Sequence, residues 1–511
     1  MSINPIGKIF LIFLCGSLLS LSAPGYDLWI IAWFGLTPLF IIINTSKKIK
    51  EVISYSFLFG LGYNLGYLNW LFSLHPLNWL GFNDFTSIVI SVFVLVTVAV
   101  YNSLYFVIFG TVIFYLKSIS VSPYDKGVPN LLLTTFIWLI VFNKLSTFKC
   151  LLGFPWTLIE YSQYKNLYLI QIAEYFGSIS ISFLIVFFNL LLADFLIWLV
   201  NIQKISNRYI PKDPGLISSI VKGFCLEIIF VFSSIVLGAY LYEKNHQDFT
   251  NKSQTLCVLQ GNLPLKVTRG GKQDINFARK VYSDLIGAND AKLIITPEGA
   301  LPTIFNKNLN VQYWLKTLAS KKHLDIISGS YCNQNDILTN CAVSCSGSSK
   351  KFLYYEKERL VPFGEFTPFS FALPEFLKKF ASNVIGDGFK EGKQSEPVST
   401  SIGKAGINIC FELIFPAIIR RHVIEHANFL VNISDLSWFS NDLLKQQFLS
   451  FAVFRAIENR KWVVIAANNG VSAFIEPTGK IRSQSLPNTR GVLLDWINPN
   501  SKITFYSKYG W

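Results

Sequence analysis

The segment Lys292-Leu293-Ile294-Ile295-Thr296-Pro297-Glu298-Gly299-Ala300-Leu301-Pro302 decides the fold of the half of the chain in which it lies. Leu293-Ile294-Ile295 is apolar without alternation, the pattern of a strand covered on both faces. Pro297 and Gly299 break that strand and leave Glu298 on a turn at its end. The same pattern recurs on both sides. Further strands are expected at Leu256–Gln260, Asp325–Ser330, Cys341–Cys345, Phe352–Tyr355, Gly406–Cys410, Phe429–Ile433, Trp462–Ala466 and Ser472–Glu476. Helices are expected at Asp274–Asn289, Asn310–Lys322, Pro416–Glu425 and Leu444–Arg460. Short buried strands alternating with helices specify an α/β domain in which helices cover sheets. No tandem repeat or low-complexity tract interrupts the pattern.

Toward the N-terminus the composition changes. The chain has 511 residues, 51% of them hydrophobic and only 15% charged, with a mean hydropathy of +0.40. Average soluble chains carry about 25% charged residues, so an ordinary cytosolic enzyme and a disordered protein are both excluded. About 23 Asp, Glu, Lys and Arg fall in residues 1–243 and about 53 in residues 244–511. The expected domains are therefore a membrane bundle over 1–243 and a globular domain over 244–511. The net charge of +14 is assigned to cytoplasmic loops and anionic lipid rather than nucleic acid, because no Arg-rich helix or aromatic-basic sheet motif accompanies it.

Apolar runs of spanning length are expected at about 7–23, 28–45, 53–74, 86–116, 130–148, 168–200 and 223–242. Leu-rich segments follow the first run at once, which favours an uncleaved helix over a signal peptide. Seven spans put the two ends of the bundle on opposite sides. With the N-terminus inside, Lys8, Lys47, Lys48, Lys50, Lys117, Lys126, Lys204, Arg208, Lys212 and Lys222 lie inside, and only Lys144, Lys149 and Lys165 outside. This bias places residues 244–511 outside the cytoplasm. Gly60, Gly62 and Gly66 are read as close-packing positions. Gly153-Phe154-Pro155-Trp156 is read as a loop with Trp156 at head-group depth or, more plainly, as a packing loop.

Of eight Cys, Cys15, Cys150 and Cys225 lie in or beside spans. Cys257, Cys332, Cys341, Cys345 and Cys410 lie in the globular domain, an odd number that leaves at least one thiol free. Cys332 has two candidate partners, Cys341 and Cys345. No CxxC pair and no His cluster calls for a metal, and no cofactor motif is present.

Three segments carry chemistry. The first is the turn around Glu298. The second is Tyr355-Glu356-Lys357-Glu358-Arg359-Leu360-Val361-Pro362-Phe363-Gly364-Glu365-Phe366. The third is Ile407-Asn408-Ile409-Cys410-Phe411-Glu412, where a Cys ends a strand. Each residue alone has a plain structural reading: a packing thiol, a surface carboxylate, a solvated lysine, a turn. Together at strand ends they suffice for acyl transfer. The thiolate is a nucleophile, the carboxylate a base, and the ammonium an oxyanion partner.

The order Glu298, Lys357, Cys410 resembles the nitrilase (carbon–nitrogen hydrolase) superfamily. The joint presence of Pro297–Pro302, Leu360–Glu365 and Ile409–Glu412 resembles, more narrowly, the apolipoprotein N-acyltransferases. Ala23-Pro24, Leu28-Trp29, Gly153–Trp156 and Ser182-Phe183-Leu184 fit that family in the bundle. Asn432-Ile433-Ser434, Trp438-Phe439, Arg455–Glu458 and Asn468-Asn469-Gly470 fit it in the domain. The resemblance implies a multi-span helical bundle carrying a nitrilase-like αββα sandwich. It implies transfer of a fatty acyl chain from a membrane phospholipid to the α-amine of a diacylglyceryl-cysteine lipoprotein precursor. The setting would be a bacterial inner membrane, with the domain on the periplasmic side. Cys410 would be the acylated thiol, Glu298 the base and Lys357 the oxyanion partner. Glu365 would be a supporting carboxylate, with Phe411 and Glu412 lining the site.

The chain departs from the family pattern in places. No Trp follows Gln260-Gly261-Asn262, Phe411 replaces a common Tyr, Asp435-Leu436 replaces an Asn-Asp pair, and Ile465 stands where Arg is common. Many members also end in a further spanning helix; after Val492 the only apolar run here is Leu493–Ile497. Rival readings are a membrane-tethered nitrilase-type amidase, a non-catalytic family member, and a transporter or receptor using Glu174, Asp194 and Glu227 within its spans.

Overall fold

The computed structural model describes residues 5–119, 128–205, 214–246, 248, 250–268, 272–287, 291–349, 351–368, 375 and 388–510. Lys126, Arg208 and Lys212 of the charge count lie outside these residues. The chain divides into two compact units, 1–78 with 82–240, and 79–81 with 241–511.

The first unit is helical. Among the described residues, four helices are long and apolar enough to cross a membrane: Asp84–Lys117, Val128–Thr147, Ile179–Val200 and Ser218–Asn245. The other expected spans are shorter or broken. Pro5–Ser20 has 16 residues, and Trp29–Thr45 is divided into two short turns and the nine-residue helix Thr37–Thr45. Ile49–Tyr67 has 19 residues but carries Lys50, Glu51 and Asn64. The sixth run begins as two single turns, Leu167–Ile170 and Ala173–Phe176. Gly177 at φ 75° ends the second, so the long helix starts only at Ile179.

The packing readings of the motifs hold. A Cβ on Gly62 would stand 2.3 Å from the Phe13 carbonyl oxygen, and one on Gly66 2.0 Å from Ser20 Oγ. The two helices approach so closely that only hydrogen fits between them. Trp156 is buried rather than lipid-facing, with its ring 5.2 Å from Trp70 and stacked on Phe154. Glu160, fully buried, accepts from Asn143 Nδ2 at 2.7 Å and from the Ser178 and Ser182 hydroxyls. Asp194 accepts from Asn44 Nδ2 at 3.1 Å.

The second unit holds two six-stranded sheets. The strands are β1 (Gln254–Gln260), β2 (Leu293–Ile295), β3 (Asp325–Gln334), β4 (Ile337–Ser346), β5 (Phe352–Glu356), β6 (Val398–Thr400), β7 (Gly403–Ile409), β8 (Phe429–Ser434), β9 (Val463–Ala467), β10 (Ala473–Ile475), β11 (Ile481–Gln484) and β12 (Gly491–Ile497). The orders are β12-β1-β2-β3-β4-β5 and β11-β10-β9-β8-β7-β6. In each sheet the central strands run parallel and the flanking ones antiparallel.

The apolar runs explain the layering. Leu256, Val258, Leu293, Ile295 and Ile327 of one sheet pack against Ile407, Ile409, Val431, Ile433 and Val464 of the other. The opposite face of the first sheet, with Cys257, Ile294, Ile326 and Val343, packs under the helices Lys272–Ile286 and Leu309–Lys322. The helices Pro416–Ile424 and Asp442–Asn459 belong to the second sheet's half. The architecture is the αββα sandwich. β6, β11 and β12 were not expected. β6 and β11 are outermost in the second sheet and β12 in the first; β6 is three residues long, β11 exposes Arg482 and Gln484, and β12 is interrupted by Asp495 and leaves Val492 and Leu494 exposed.

Register also decides the cysteines. Cys332 sits opposite Thr339, Cys341 opposite Ser330, and Cys345 opposite Ile326. Cys345 is therefore six positions along β3 from Cys332, roughly 20 Å at strand rise and out of disulfide reach. Cys332 pairs with Cys341, with Cα atoms 6.1 Å apart. Cys410 is a free thiol.

Candidate active site

The parallel strands point their C-terminal ends the same way, and the chemistry collects there. Glu298 follows β2, Lys357 follows β5, Cys410 follows β7 and Asp435 follows β8. Each is the first or near-first residue past its strand, so rigid sheet backbone sets its position.

The turn bearing Glu298 is stitched to β3. The Gly329 N–H donates to the Pro297 carbonyl at 3.1 Å, and the Leu301 N–H to the Gly329 carbonyl at 2.9 Å. Gly329 itself leaves no room: a Cβ there would lie 2.2 Å from the Pro297 oxygen and 2.5 Å from Glu298 Cα. Gly329→Ala must push Glu298 off its position. We expect a stability loss of about 1–3 kcal/mol, as for overpacked cores, and a fall in turnover larger than this loss explains. Thermal unfolding in detergent, measured beside single-turnover rates, checks both.

The turn that carries Cys410 is held as firmly. Cys410 has φ 50°, in the left-handed region that non-glycine residues rarely occupy. Glu412 secures it from behind. Its Oε2 accepts from the Ile409 N–H at 2.6 Å and the Tyr355 hydroxyl at 2.9 Å. Its Oε1 accepts from the N–H groups of Glu358 and Arg359, at 2.6 and 3.1 Å. Glu412 thus ties the elbow to the loop that carries Lys357, and its four bonds face protein. Phe411 is buried, its ring edge-on to Phe415 at 5.2 Å.

Burial raises the Glu412 carboxyl to about 7 from an ordinary 4.5, against the hydrogen bonds that lower it. A carboxyl whose folded value is raised adds stability below its unfolded value and loses it as pH rises through the folded one. Relative to Glu412→Gln, the wild-type melting temperature is therefore expected to fall between pH 4.5 and about 7. A flat difference across that range would refute the assignment. At any pH the amide variant turns an N–H toward backbone donors, at about 1–3 kcal/mol.

At the centre, Lys357 Nζ lies 3.1 Å from Glu298 Oε1 and 2.9 Å from Glu365 Oε1. Asn340 Nδ2 donates to the same two oxygens, at 2.6 and 2.9 Å. Two donors and two acceptors form a closed four-centre arrangement in which the like charges of the glutamates are offset. Glu298 Oε2 accepts from the Asp435 N–H at 2.9 Å, and Glu365 Oε2 from the Val361 N–H at 2.8 Å. The Cys410 thiol interacts with Glu298, whose charge raises its pKa.

Lys357 is 1% exposed. Burial alone would lower its pKa, but Glu298 and Glu365 outweigh it and hold the ammonium well above its ordinary value. The Cys410 thiol is raised well above its ordinary value, first by burial and then by Glu298, with Lys357 opposing. The resting site therefore holds a protonated thiol beside a fixed cation.

All six residues singled out in the sequence lie in this neighbourhood. Glu298, Lys357, Glu365 and Cys410 form one interacting set, whereas Glu412 is spent on backbone. Asn340 and the Asp435 N–H were missed. A polar Asn inside the apolar run of β4 was the available signal, since a buried amide needs partners. Among the described residues no group of three His, Cys, Asp or Glu is arranged to hold a metal ion.

Comparison with known proteins adds to this geometry. Residues 15–191 match the family described as the apolipoprotein N-acyltransferase N-terminal domain, and residues 275–501 match carbon-nitrogen hydrolase. An apolipoprotein N-acyltransferase of Geobacter metallireducens is 29% identical over 97% of this chain and 90% of that protein. One from Nostoc sp. is 24% identical over 96% of this chain and 94% of that protein. Among solved structures, a carbon-nitrogen hydrolase from Helicobacter pylori G27 is 17% identical, covering 48% of this chain and 89% of its own, with a TM-score of 0.37.

Proposed function

Because the chain belongs to the apolipoprotein N-acyltransferase family of membrane-bound carbon–nitrogen hydrolases, we propose that it moves a fatty acyl chain from a membrane phospholipid to the α-amine of an N-terminal diacylglyceryl-cysteine. The observation that carries this reading is one interacting set: Lys357 clamped between Glu298 and Glu365, with the Cys410 thiol under the influence of all three.

Glu298 takes the thiol proton as Sγ attacks the ester carbonyl of the donor. The oxyanion that forms faces the Lys357 ammonium, which carries three N–H donors and spends two on the carboxylates. Collapse breaks the ester C–O bond. Glu298 returns the proton to the departing lysophospholipid hydroxyl, and Cys410 is left as a thioester. The lipoprotein amine then attacks that carbonyl, Glu298 accepts the amine proton, and the C–S bond breaks to give the amide and restore the thiol. Two half-reactions on one thiol give ping-pong kinetics. A membrane-embedded enzyme avoids lifting acyl chains from the bilayer at about 0.8 kcal/mol per CH₂.

The catalytic unit is assigned to the periplasmic side of a bacterial inner membrane. The lysine and arginine bias of the loops supports that side. So does the Cys332–Cys341 pair, since such bonds persist in oxidising compartments.

The reaction is tested with protein purified in detergent, given phospholipid and a diacylated lipopeptide. Mass spectrometry is expected to show one added acyl chain on the peptide amine. Free fatty acid without acylated peptide would mean that water is the acceptor and would overturn the reading.

A further inference from the structure

We propose that Tyr331 and Phe389 form an aromatic wall that receives the acyl chain carried on Cys410 and makes the enzyme prefer a long chain to a short one. The inference deepens the acyl-transfer reading and rests on it. Register places Tyr331 beside the catalytic set. Its direct partner across the β3–β4 pair is Asn340, and the Lys357 N–H donates to the Asn340 carbonyl at 2.8 Å. Tyr331, Asn340 and Lys357 therefore stand in one row across β3, β4 and the end of β5. Directly opposed residues project to the same face of a sheet. The Tyr331 ring is thus on the face from which Asn340 reaches Glu298 and Glu365. Gly329, two positions back along β3, is on that face too, pressed against the Glu298 turn.

The second ring comes from a segment that returns past the site. The Phe389 N–H donates to the Glu365 carbonyl at 2.8 Å, the Lys390 N–H to the Leu338 carbonyl at 2.9 Å, and the Gly392 N–H to the Lys357 carbonyl at 2.8 Å. The approach is close: a Cβ on Gly392 would stand 2.3 Å from Glu356 Cβ. The Phe389 ring stacks on Tyr331, with centres 5.3 Å apart and planes 23° from parallel. The Tyr331 hydroxyl donates to the Thr268 carbonyl at 2.6 Å, and a Cβ on Gly299 would lie 3.5 Å from that hydroxyl. The stacked pair therefore bridges the two turns that carry Glu298 and Glu365. Both residues are partly exposed, so the pair presents an open surface beside the site.

The chemistry of that surface selects its ligand. It offers ring carbon, and the Tyr331 hydroxyl is engaged by backbone. Such a surface is stabilised when methylene groups leave water against it, and it offers little to a phosphate or a peptide. The donor's head group departs with the lysophospholipid, whereas the acyl chain stays on Cys410 from the first half-reaction to the second. The chain is the part of the substrate that an apolar wall at this place can hold. Distance supplies the length dependence. Tyr331 lies two strand spacings from the end of β5, roughly 10 Å. A butyryl group on Sγ, with its carbonyl facing Lys357, is too short to cover that distance, and a palmitoyl group passes it.

The test uses full-length protein in detergent with p-nitrophenyl butyrate and p-nitrophenyl palmitate as donors. Cys410 Sγ displaces p-nitrophenol from either ester, and intact-protein mass spectrometry reads the rate at which the acyl mass appears. Each protein is scored by its ratio of palmitoyl to butyryl rates, so a change in the amount of folded protein cancels. Tyr331→Ala and Phe389→Ala are each expected to lower that ratio at least about tenfold relative to wild type. Tyr331→Phe keeps the ring and is expected to hold the ratio within about twofold. An equal fall on both esters would mean that the rings only support Glu298 and Glu365, and it overturns the proposal. So does an unchanged ratio. A wild type that gains acyl mass from neither ester overturns the acyl-transfer reading itself, and this proposal with it.

Discussion

Cys410→Ala is expected to lose acyl transfer by at least about 10⁴-fold while leaving the protein folded. The two halves of that expectation come from different features. Chemically, Sγ is the only atom at the centre of the site that can carry an acyl group as a thioester, because Glu298 and Lys357 are engaged with each other and with Glu365. Structurally, the strained backbone at φ 50° is imposed by the Glu412 and Asn432 bonds to Ile409 and Cys410, which alanine does not touch. Alanine meets the same left-handed penalty as cysteine, so the melting temperature should move little. Intact-protein mass spectrometry with phospholipid alone is the direct measurement. Wild type is expected to gain one acyl mass at Cys410 before any acceptor is added, and the variant none. Full transfer by Cys410→Ala would remove the nucleophile assignment.

How much of this was legible beforehand depends on what kind of residue carries the information. The central strands β1, β2, β7, β8 and β9 were legible, because burial on both faces forces an unbroken apolar run. The edge strands β6, β11 and β12 were not, since β6 and β11 are short and partly polar and β12 carries Asp495 within its apolar run. Glu298, Lys357 and Cys410 were legible as an ordered set. Their convergence was not, because it depends on which sheet each strand joins and on parallel pairing across separations of tens of residues. Asn340 was hidden for a related reason. Its importance comes from facing Glu298 and Glu365 across the site, which spacing along the chain does not encode. The Cys332 partner was open until the β3–β4 register excluded Cys345. Of the seven spans that hydropathy marked, four are helices of spanning length among the described residues, and the ends of the runs were not legible. Gly177 and the polar positions of Ile49–Tyr67 shorten or break helices that apolar counting runs together.

Lys357→Met separates the two jobs of the ammonium. Its loss takes away the cation that faces the developing oxyanion, which is expected to lower the transfer rate about 10²–10³-fold. It also leaves Glu298 and Glu365, both joined to Asn340 Nδ2 through Oε1, without the charge that offsets their repulsion. Removing one partner of a buried ionic set costs about 3–5 kcal/mol at neutral pH. Lys357→Arg discriminates between the roles. It keeps the charge, so most of the stability should return, while its planar fork cannot reproduce the ammonium's contacts and the rate should stay low. Chemical unfolding at neutral pH, run beside single-turnover rates for both variants, gives the two readouts. If Lys357→Met matched the wild type in rate but not in stability, the lysine would be a structural counter-ion and the oxyanion would need another donor.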